Sequence, residues 1–244
     1  MKAIVLAAGY ATRLYPLTLD RPKALLEVGG RPMLDHVLER LQGMGVDETI
    51  VVTNAKFASQ FEEWARGKEG VVVLNDGTTS NEDRLGAIGD IGFALETLGI
   101  DDDLVVVAGD NLFAEDVSEF AAFGRRHDAP VLAVHDLDDL SLMHEYNQVE
   151  LDEDGRIVFF EEKPAEPRST LAGVALYYYP RRTLPLIRQY LAEGNNPDQP
   201  GRLVQWLYPR TDVYAWRLPG IWYDIGSAET LQEADRIFSQ SRSE

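Results

Sequence analysis

The sequence predicts an α/β fold, a mostly parallel sheet with helices on both faces and a β-hairpin elaboration in the second half. Short apolar runs rich in Val and Ile alternate with segments of helical period through the first half, the pattern of βαβ units whose strands are buried on both faces. The first run stops at Gly9 and passes into a turn-rich stretch. In the second half Asp154-Gly155, which supplies positive φ to a tight turn, separates two β-rich runs.

In chain order, Ala3 to Ala8 is the first strand and Gly9 to Pro32 a series of turns. Leu34, Val37, Leu38 and Leu41 then recur at helical spacing until Gly43 and Gly45 end the pattern. Strands are expected at Thr49 to Thr53, Val71 to Leu74, Leu104 to Ala108 and Val131 to Val134, separated by helical segments that include Leu85 to Leu98. Gln148 to Leu151 and Arg156 to Phe160 form the hairpin, Leu171 to Tyr179 a strand, Leu184 to Leu191 a helix and Gly194 to Gly201 a loop. A final strand, Val213 to Arg217, leads through Trp222 to Gly226 into a helix that Ser227 caps. No linker, repeat or low-complexity tract interrupts the chain, so 1–244 is expected to be a single domain.

The 244 residues are 45% hydrophobic and 26% charged, a globular composition that excludes disordered and fibrous classes. Lys and Arg total 23 against 41 Asp and Glu, a net charge of −18, and so acidic a surface repels nucleic acid and anionic lipid. With no cysteine there is no disulfide framework, thiolate zinc site or cysteine nucleophile. The opening apolar run is too short for a signal peptide or a membrane span. A cytoplasmic location is therefore expected, with no nucleic-acid or membrane partner.

Against this acidic trend, the chain through Lys23 carries Lys2, Arg13, Arg21 and Lys23 with one acid, Asp20. A small-residue turn leaving a buried strand points backbone N–H groups into space, a geometry that receives phosphate. Neither the P-loop nor the dinucleotide glycine pattern is present. Asp110 ends an apolar strand, where open α/β sheets place ligands, although an aspartate there also fits a turn or helix cap. Asp224 follows two aromatics and precedes a glycine and a helix start. Two carboxylates from distant strand ends suit Mg²⁺, which takes one or two protein oxygens and completes its shell from substrate phosphates and water. Lys163 ends a hairpin strand in Phe160-Glu-Glu-Lys-Pro164; by itself such a Glu-Lys pair is a solvated face. The histidines, His36, His127, His135 and His144, have neither metal-binding nor catalytic-triad spacing.

In order and spacing, Ala7-Ala-Gly-x-x-Thr-Arg13-Leu, Pro22-Lys23, Gly109-Asp110-Asn111, Glu162-Lys163-Pro164 and Trp222-x-Asp224-x-Gly226 resemble the motifs of sugar-1-phosphate nucleotidylyltransferases, close to the glucose-1-phosphate thymidylyltransferase type. The resemblance covers nearly the whole chain. It implies a Rossmann-like mixed sheet, Mg²⁺, and transfer of a nucleotidyl group from a nucleoside triphosphate to a sugar 1-phosphate, with pyrophosphate leaving. By the same resemblance Leu6, Ala8 and Gly9 cradle the nucleotide, and Arg13 and Lys23 meet its triphosphate. Asp110 and Asp224 hold the metal, with Asp110 also at the nucleotide. Lys163 grips the sugar phosphate, while Asn147, Glu162 and Gly173 complete the sugar site.

The chain also departs from that pattern. Ala11 and Asn147 stand where many relatives have glycine, and Asn75 to Leu85 lacks the Gln and Gly-Leu pattern of thymidylyltransferases. Its Asn, Thr and Asn series looks like that of cytidylyltransferases acting on phospho-alcohols, which keeps a cytidylyltransferase as an alternative. Asn75, Asn81 and Arg84 are the candidate base readers, because an amide offers a pyrimidine edge both a donor and an acceptor. A non-catalytic nucleotide-binding subunit is a further alternative, and self-association into a homo-oligomer stays open.

Overall fold

The computed structural model describes residues 1–240. In chain order its elements are β1 (Lys2–Leu6), β2 (Glu27–Val28), β3 (Arg31–Pro32), α1 (Met33–Gly43), β4 (Glu48–Thr53), α2 (Ala58–Ala65), β5 (Val71–Asn75), α3 (Ala87–Thr97), β6 (Leu104–Ala108) and β7 (Asn111–Phe113). There follow α4 (Glu119–His127), β8 (Val131–Asp136), β9 (Asn147–Leu151), β10 (Ile157–Glu162), β11 (Leu171–Tyr179), α5 (Leu184–Ala192), α6 (Gly201–Leu207), β12 (Tyr214–Arg217), β13 (Trp222–Asp224) and α7 (Ala228–Gln240). Among the described residues no helix is long and apolar enough to cross a membrane.

These elements form two compact units, one of Met1–Leu85, Val107–Ser118 and Pro219–Glu244, the other of Gly86–Val106 and Glu119–Leu218. In the first unit β1 pairs parallel with β4, and β4 parallel with β5. Successive residues Ala3, Ile4 and Val5, and Ile50, Val51 and Val52, are all fully buried, so both faces of these strands are covered, as parallel strands require. Helix α1 buries Leu34, Val37 and Leu41 from one face. Helix α7 lays Ala234 and Phe238 into a cluster with Val28, Met33, Leu112 and Ile225. Its start is fixed by Ser227, whose Oγ accepts the Thr230 N–H at 3.2 Å, as a helix cap should.

The second unit makes the sheet mixed. Strand β12 runs parallel to β8, while β11 runs antiparallel to it. The expected hairpin is β9 with β10, antiparallel. Its turn is held by the Asp152 carboxylate, which accepts N–H bonds from Asp154 and Arg156, and Gly155 takes φ 79°. The α/β class and the mostly parallel mixed sheet thus match expectation. Some elements do not, among them the two-residue strands β2 and β3, which pair inside the expected series of turns from Gly9 to Pro32. Strands β7 and β13 pair antiparallel although neither carries a period long enough to read. The expected loop Gly194 to Gly201 ends in helix α6, because Leu203, Val204 and Leu207 are buried from one helical face.

Candidate active site

Strand β1 hands the chain to the first loop, and buried side chains hold that loop by its carbonyls. Asn54, fully buried after β4, donates from Nδ2 to the Ala8 carbonyl at 2.8 Å while its Oδ1 accepts the Phe57 N–H. Thr18, also buried, donates from Oγ1 to the Ala11 carbonyl at 2.8 Å. Tying carbonyls inward leaves the other face of the loop open, and a Cβ placed on Gly9 would meet nothing within 4 Å. A recess of about 160 Å³ follows, lined by Leu6, Gly9, Ala11, Lys23, Gly109 and Asp110 among others. Gly109 is needed for this close packing, since a Cβ there would sit 3.1 Å from Ala24 Cβ and 3.3 Å from the Leu6 carbonyl.

Ala11 adopts φ 47° and ψ 44°, left-handed backbone that suits the glycine of the family pattern. Ala11→Gly is therefore expected to stabilise the protein by up to about 1 kcal/mol, the relief of the Cβ clash exceeding the glycine's added unfolded entropy. A urea-unfolding midpoint that falls in this variant would contradict the left-handed assignment. The next residues form a single 3₁₀ turn, Thr12–Leu14, that presents Arg13 at the surface.

Lys23 lies on a second short turn, Lys23–Leu25, entered through Pro22. Its Nζ reaches Asp110 Oδ2 at 2.5 Å. Asp224 arrives beside this pair through strand register: β13 pairs antiparallel with β7, setting Asp224 opposite Asn111, and Ile225 N–H donates to the Asp110 carbonyl at 3.2 Å. Burial, and then the like charge of Asp110, push the Asp224 carboxyl up to about 6, with Lys23 and Arg13 acting against the shift. Arg13, Lys23, Asp110 and Asp224 therefore form one electrostatic group.

Two carboxylates that repel each other, Asp224 being largely buried, are a donor set that a small divalent cation relieves. Among the described residues no group of three or more His, Cys, Asp or Glu is placed to hold a metal ion. Mg²⁺, which takes one or two protein carboxylates and shares its shell with phosphate and water, fits this pair.

The candidate base-reading loop is organised by its own side chains. Asn75 Oδ1 accepts the Gly77 N–H at 2.9 Å. Asp83 accepts the N–H of Ser80 at 2.8 Å together with the N–H and Oγ1 of Thr79, which holds its carboxyl down at about 2. Asn81 and Arg84 are exposed, and the Arg84 guanidinium donates to the Asn81 carbonyl at 2.6 Å.

In the second unit the expected sugar residues also cluster. Asn147 on β9 stands opposite Glu162 on β10. The buried Asn147 amide accepts the Gly173 N–H at 2.6 Å and donates to the Gly173 carbonyl at 3.2 Å. Both of its polar atoms thus serve the β11 backbone. Gly173 has no room for a side chain, because a Cβ there would lie 2.8 Å from both Asn147 Oδ1 and Leu132 Cδ2. Burial pushes the Glu162 carboxyl up, opposed by the charges of Lys163 and Arg202. Lys163 has φ 49°, strained for a residue with a Cβ, and its N–H donates to the Tyr146 carbonyl at 2.8 Å.

Sequence reasoning missed residues that hold the functional ones, Asn54 and Thr18 behind the loop, and it placed Asn111 in a motif without its position between the two aspartates. Asn54 had a readable signal, a lone amide closing the apolar run of β4. Thr18 had none.

A family model described as nucleotidyl transferase matches residues 2–241. The chain is 30% identical over 241 residues to a glucose-1-phosphate thymidylyltransferase of Streptomyces antibioticus, covering 97% of this chain and 65% of that protein. It is 32% identical over 228 residues to a putative mannose-1-phosphate guanyltransferase of Sulfolobus acidocaldarius, covering 93% of this chain and 60% of that protein. The chain therefore spans less than two thirds of the length of these curated relatives. In three dimensions it matches the crystal structure of a putative glucose-1-phosphate thymidylyltransferase from Bacillus anthracis in complex with a sucrose, with a TM-score of 0.85 at 24% identity, over 98% of this chain and 95% of that one. The family match from end to end, on a fold carrying the loop and the paired aspartates, establishes that the chain belongs to the nucleotidyl transferase family.

Proposed function

We propose that the protein transfers a nucleotidyl group from a nucleoside triphosphate to a sugar 1-phosphate by direct displacement with Mg²⁺, releasing pyrophosphate. The observation that carries this reading is the Asp110–Asp224 pair beside Lys23, at the foot of a loop whose carbonyls are turned away. An acceptor phosphate oxygen attacks the α-phosphorus, the new O–P bond forms, and the bond to the β-phosphate oxygen breaks in line. Both reactants are anions, so positioning and charge neutralisation are the main catalytic needs. Arg13 and Lys23 bind and orient the triphosphate, and Lys163 binds the acceptor phosphate. Held by Asp110 and Asp224, Mg²⁺ would supply charge neutralisation at the triphosphate oxygens. No residue need remove a proton, because the acceptor phosphate is already ionised.

A sugar 1-phosphate acceptor is supported over a phospho-alcohol by the names of the relatives, whose acceptors are glucose 1-phosphate and mannose 1-phosphate. Those names span a pyrimidine and a purine base, so the base rests on the Asn75–Asn81 loop alone. We assign a pyrimidine, read chiefly by Asn81, since Asn75 Oδ1 is spent on its own turn. A panel of four nucleoside triphosphates against glucose, mannose and N-acetylglucosamine 1-phosphates and phosphocholine, scored by pyrophosphate release with Mg²⁺ or EDTA, tests the whole reading. Release in EDTA at the Mg²⁺ rate would remove the metal. Asn81→Ala is expected to narrow the pyrimidine preference about tenfold, roughly one lost hydrogen bond of 1 to 2 kcal/mol. Equal use of purines by the unmodified protein would withdraw the base assignment.

A further inference from the structure

Asn111 touches both aspartates at once. From a single Nδ2 it donates to Asp110 Oδ1 at 3.0 Å and to Asp224 Oδ1 at 3.5 Å. An amide nitrogen has two protons to give, and here they bridge two carboxylates that would otherwise repel. The residue is only 2% exposed, and its backbone position is fixed by the β7–β13 register that sets it opposite Asp224.

The third partner decides which way the amide faces. Trp222 Nε1 donates to Asn111 Oδ1 at 2.8 Å, and an indole N–H can only donate. Rotating the amide by half a turn would set its NH₂ against the indole N–H and its oxygen against both carboxylates, three repulsive contacts in place of three attractive ones. The donor side therefore points at the aspartates. Asp110 is held a second time by Lys23, but through its other oxygen, Oδ2. Each carboxylate oxygen has further acceptor capacity after one hydrogen bond, so the bridge orients the pair without using it up.

The side-chain chemistry is specific. A neutral amide draws the carboxylates together and leaves their negative charge for a cation. Lysine or arginine at this position would cancel one of the two negative charges, aspartate would add a third repelling charge, and leucine would offer no bridge. We propose that Asn111 is a positioning residue that holds Asp110 and Asp224 as a preformed pair for a divalent cation, with its own orientation locked by the Trp222 indole. This rests on the metal reading given under Proposed function and adds to it the residue that builds the site.

Two variants test it, Asn111→Leu, which keeps the branched shape and heavy-atom count but offers no polar atom, and Trp222→Phe, which keeps a ring but removes the lock. The probe is Mn²⁺, counted by electron paramagnetic resonance in the presence of a non-hydrolysable nucleoside triphosphate analogue. Loss of a partner behind metal ligands weakens binding by about 10- to 100-fold. Asn111→Leu is expected to fall in that range and Trp222→Phe to move the same way by less. Steady-state rates should separate likewise: the Mg²⁺ concentration for half-maximal rate rises, and much of kcat returns at saturating Mg²⁺, which a damaged fold would not allow. Should Asn111→Leu fail to fold, as judged by circular dichroism and thermal melting, Trp222→Phe alone decides, and unchanged Mn²⁺ affinity in it overturns the proposal. Wild-type affinity in a folded Asn111→Leu also overturns it. If Asp110→Asn and Asp224→Asn lose Mn²⁺ while both test variants keep it, the metal reading stands and only the role of Asn111 falls. If the unmodified protein binds no Mn²⁺, both fall together.

Discussion

Asp224→Asn is expected to lower kcat/KM by at least about 10²-fold, the scale on which removal of a transition-state charge partner acts, while making the metal-free protein more stable at pH 8. The two effects share one cause. Burial and the neighbouring Asp110 charge raise the Asp224 carboxyl from its ordinary 3.8 to about 6. In the unfolded chain it ionises near its ordinary value. As pH rises from about 4 to about 6, the folded state keeps a proton that the unfolded state has released, so stability falls across that window and stays low above it. At 1.36 kcal/mol for each unit of pKa, the loss is about 2 to 3 kcal/mol. Asparagine cannot ionise and escapes it. Urea unfolding in EDTA at pH 4 and pH 8 should show the variant's advantage growing with pH, and Mg²⁺ should narrow the gap by stabilising the unmodified protein alone. Equal stability of the two proteins at both pH values would mean that Asp224 is not strained by its surroundings. Undiminished turnover would remove it from the active site.

The same pair shows what the sequence could reveal and what it could not. Asp110 was legible because a continuous apolar run of 5 residues, rich in Val and followed by a glycine, delivers it, and run length, β-branched content and the flanking glycine mark such a strand. Asp224 comes from β13, only 3 residues long, which has no period to read; its neighbours, two aromatics before it and a glycine and helix start after it, marked it, and the family resemblance added its role. That the two meet depends on the pairing of β13 with β7, a contact between segments more than a hundred residues apart that no local pattern encodes. Helix α6 was missed for a related reason. Gly194 to Gly201 is rich in turn residues, and the burial that makes the following residues helical belongs to the tertiary fold rather than to propensity. The hairpin was visible because its cause is local, a glycine at positive φ beside a capping aspartate. Asn147 was legible as a departure but not in its consequence, since only the strand pairing shows its amide turned onto the Gly173 backbone.

Lys163→Ala and Arg13→Ala are expected to fail in opposite ways. Each removes one cation, but Arg13 sits on the first loop and contributes to the potential at Asp224, whereas Lys163 follows strand β10 next to the half-buried Glu162. A charge-assisted contact to phosphate is worth about 1.5 to 3 kcal/mol, or roughly 10- to 150-fold in affinity. Arg13→Ala should lose that much affinity for the nucleoside triphosphate and leave the sugar 1-phosphate unaffected. Lys163→Ala should do the reverse, raising the KM for sugar 1-phosphate while titration calorimetry finds nucleotide binding unchanged. The left-handed backbone at Lys163 supplies the control, because Lys163→Gly relieves the strain and Lys163→Ala keeps it. If lost acceptor affinity follows from the missing charge, both variants show it equally although their stabilities differ. If instead the glycine variant recovers acceptor affinity, the defect lies in the backbone, and the ammonium group does not contact the acceptor. A Lys163→Ala protein that lost nucleotide binding and kept its acceptor would transfer Lys163 to the triphosphate side of the reaction.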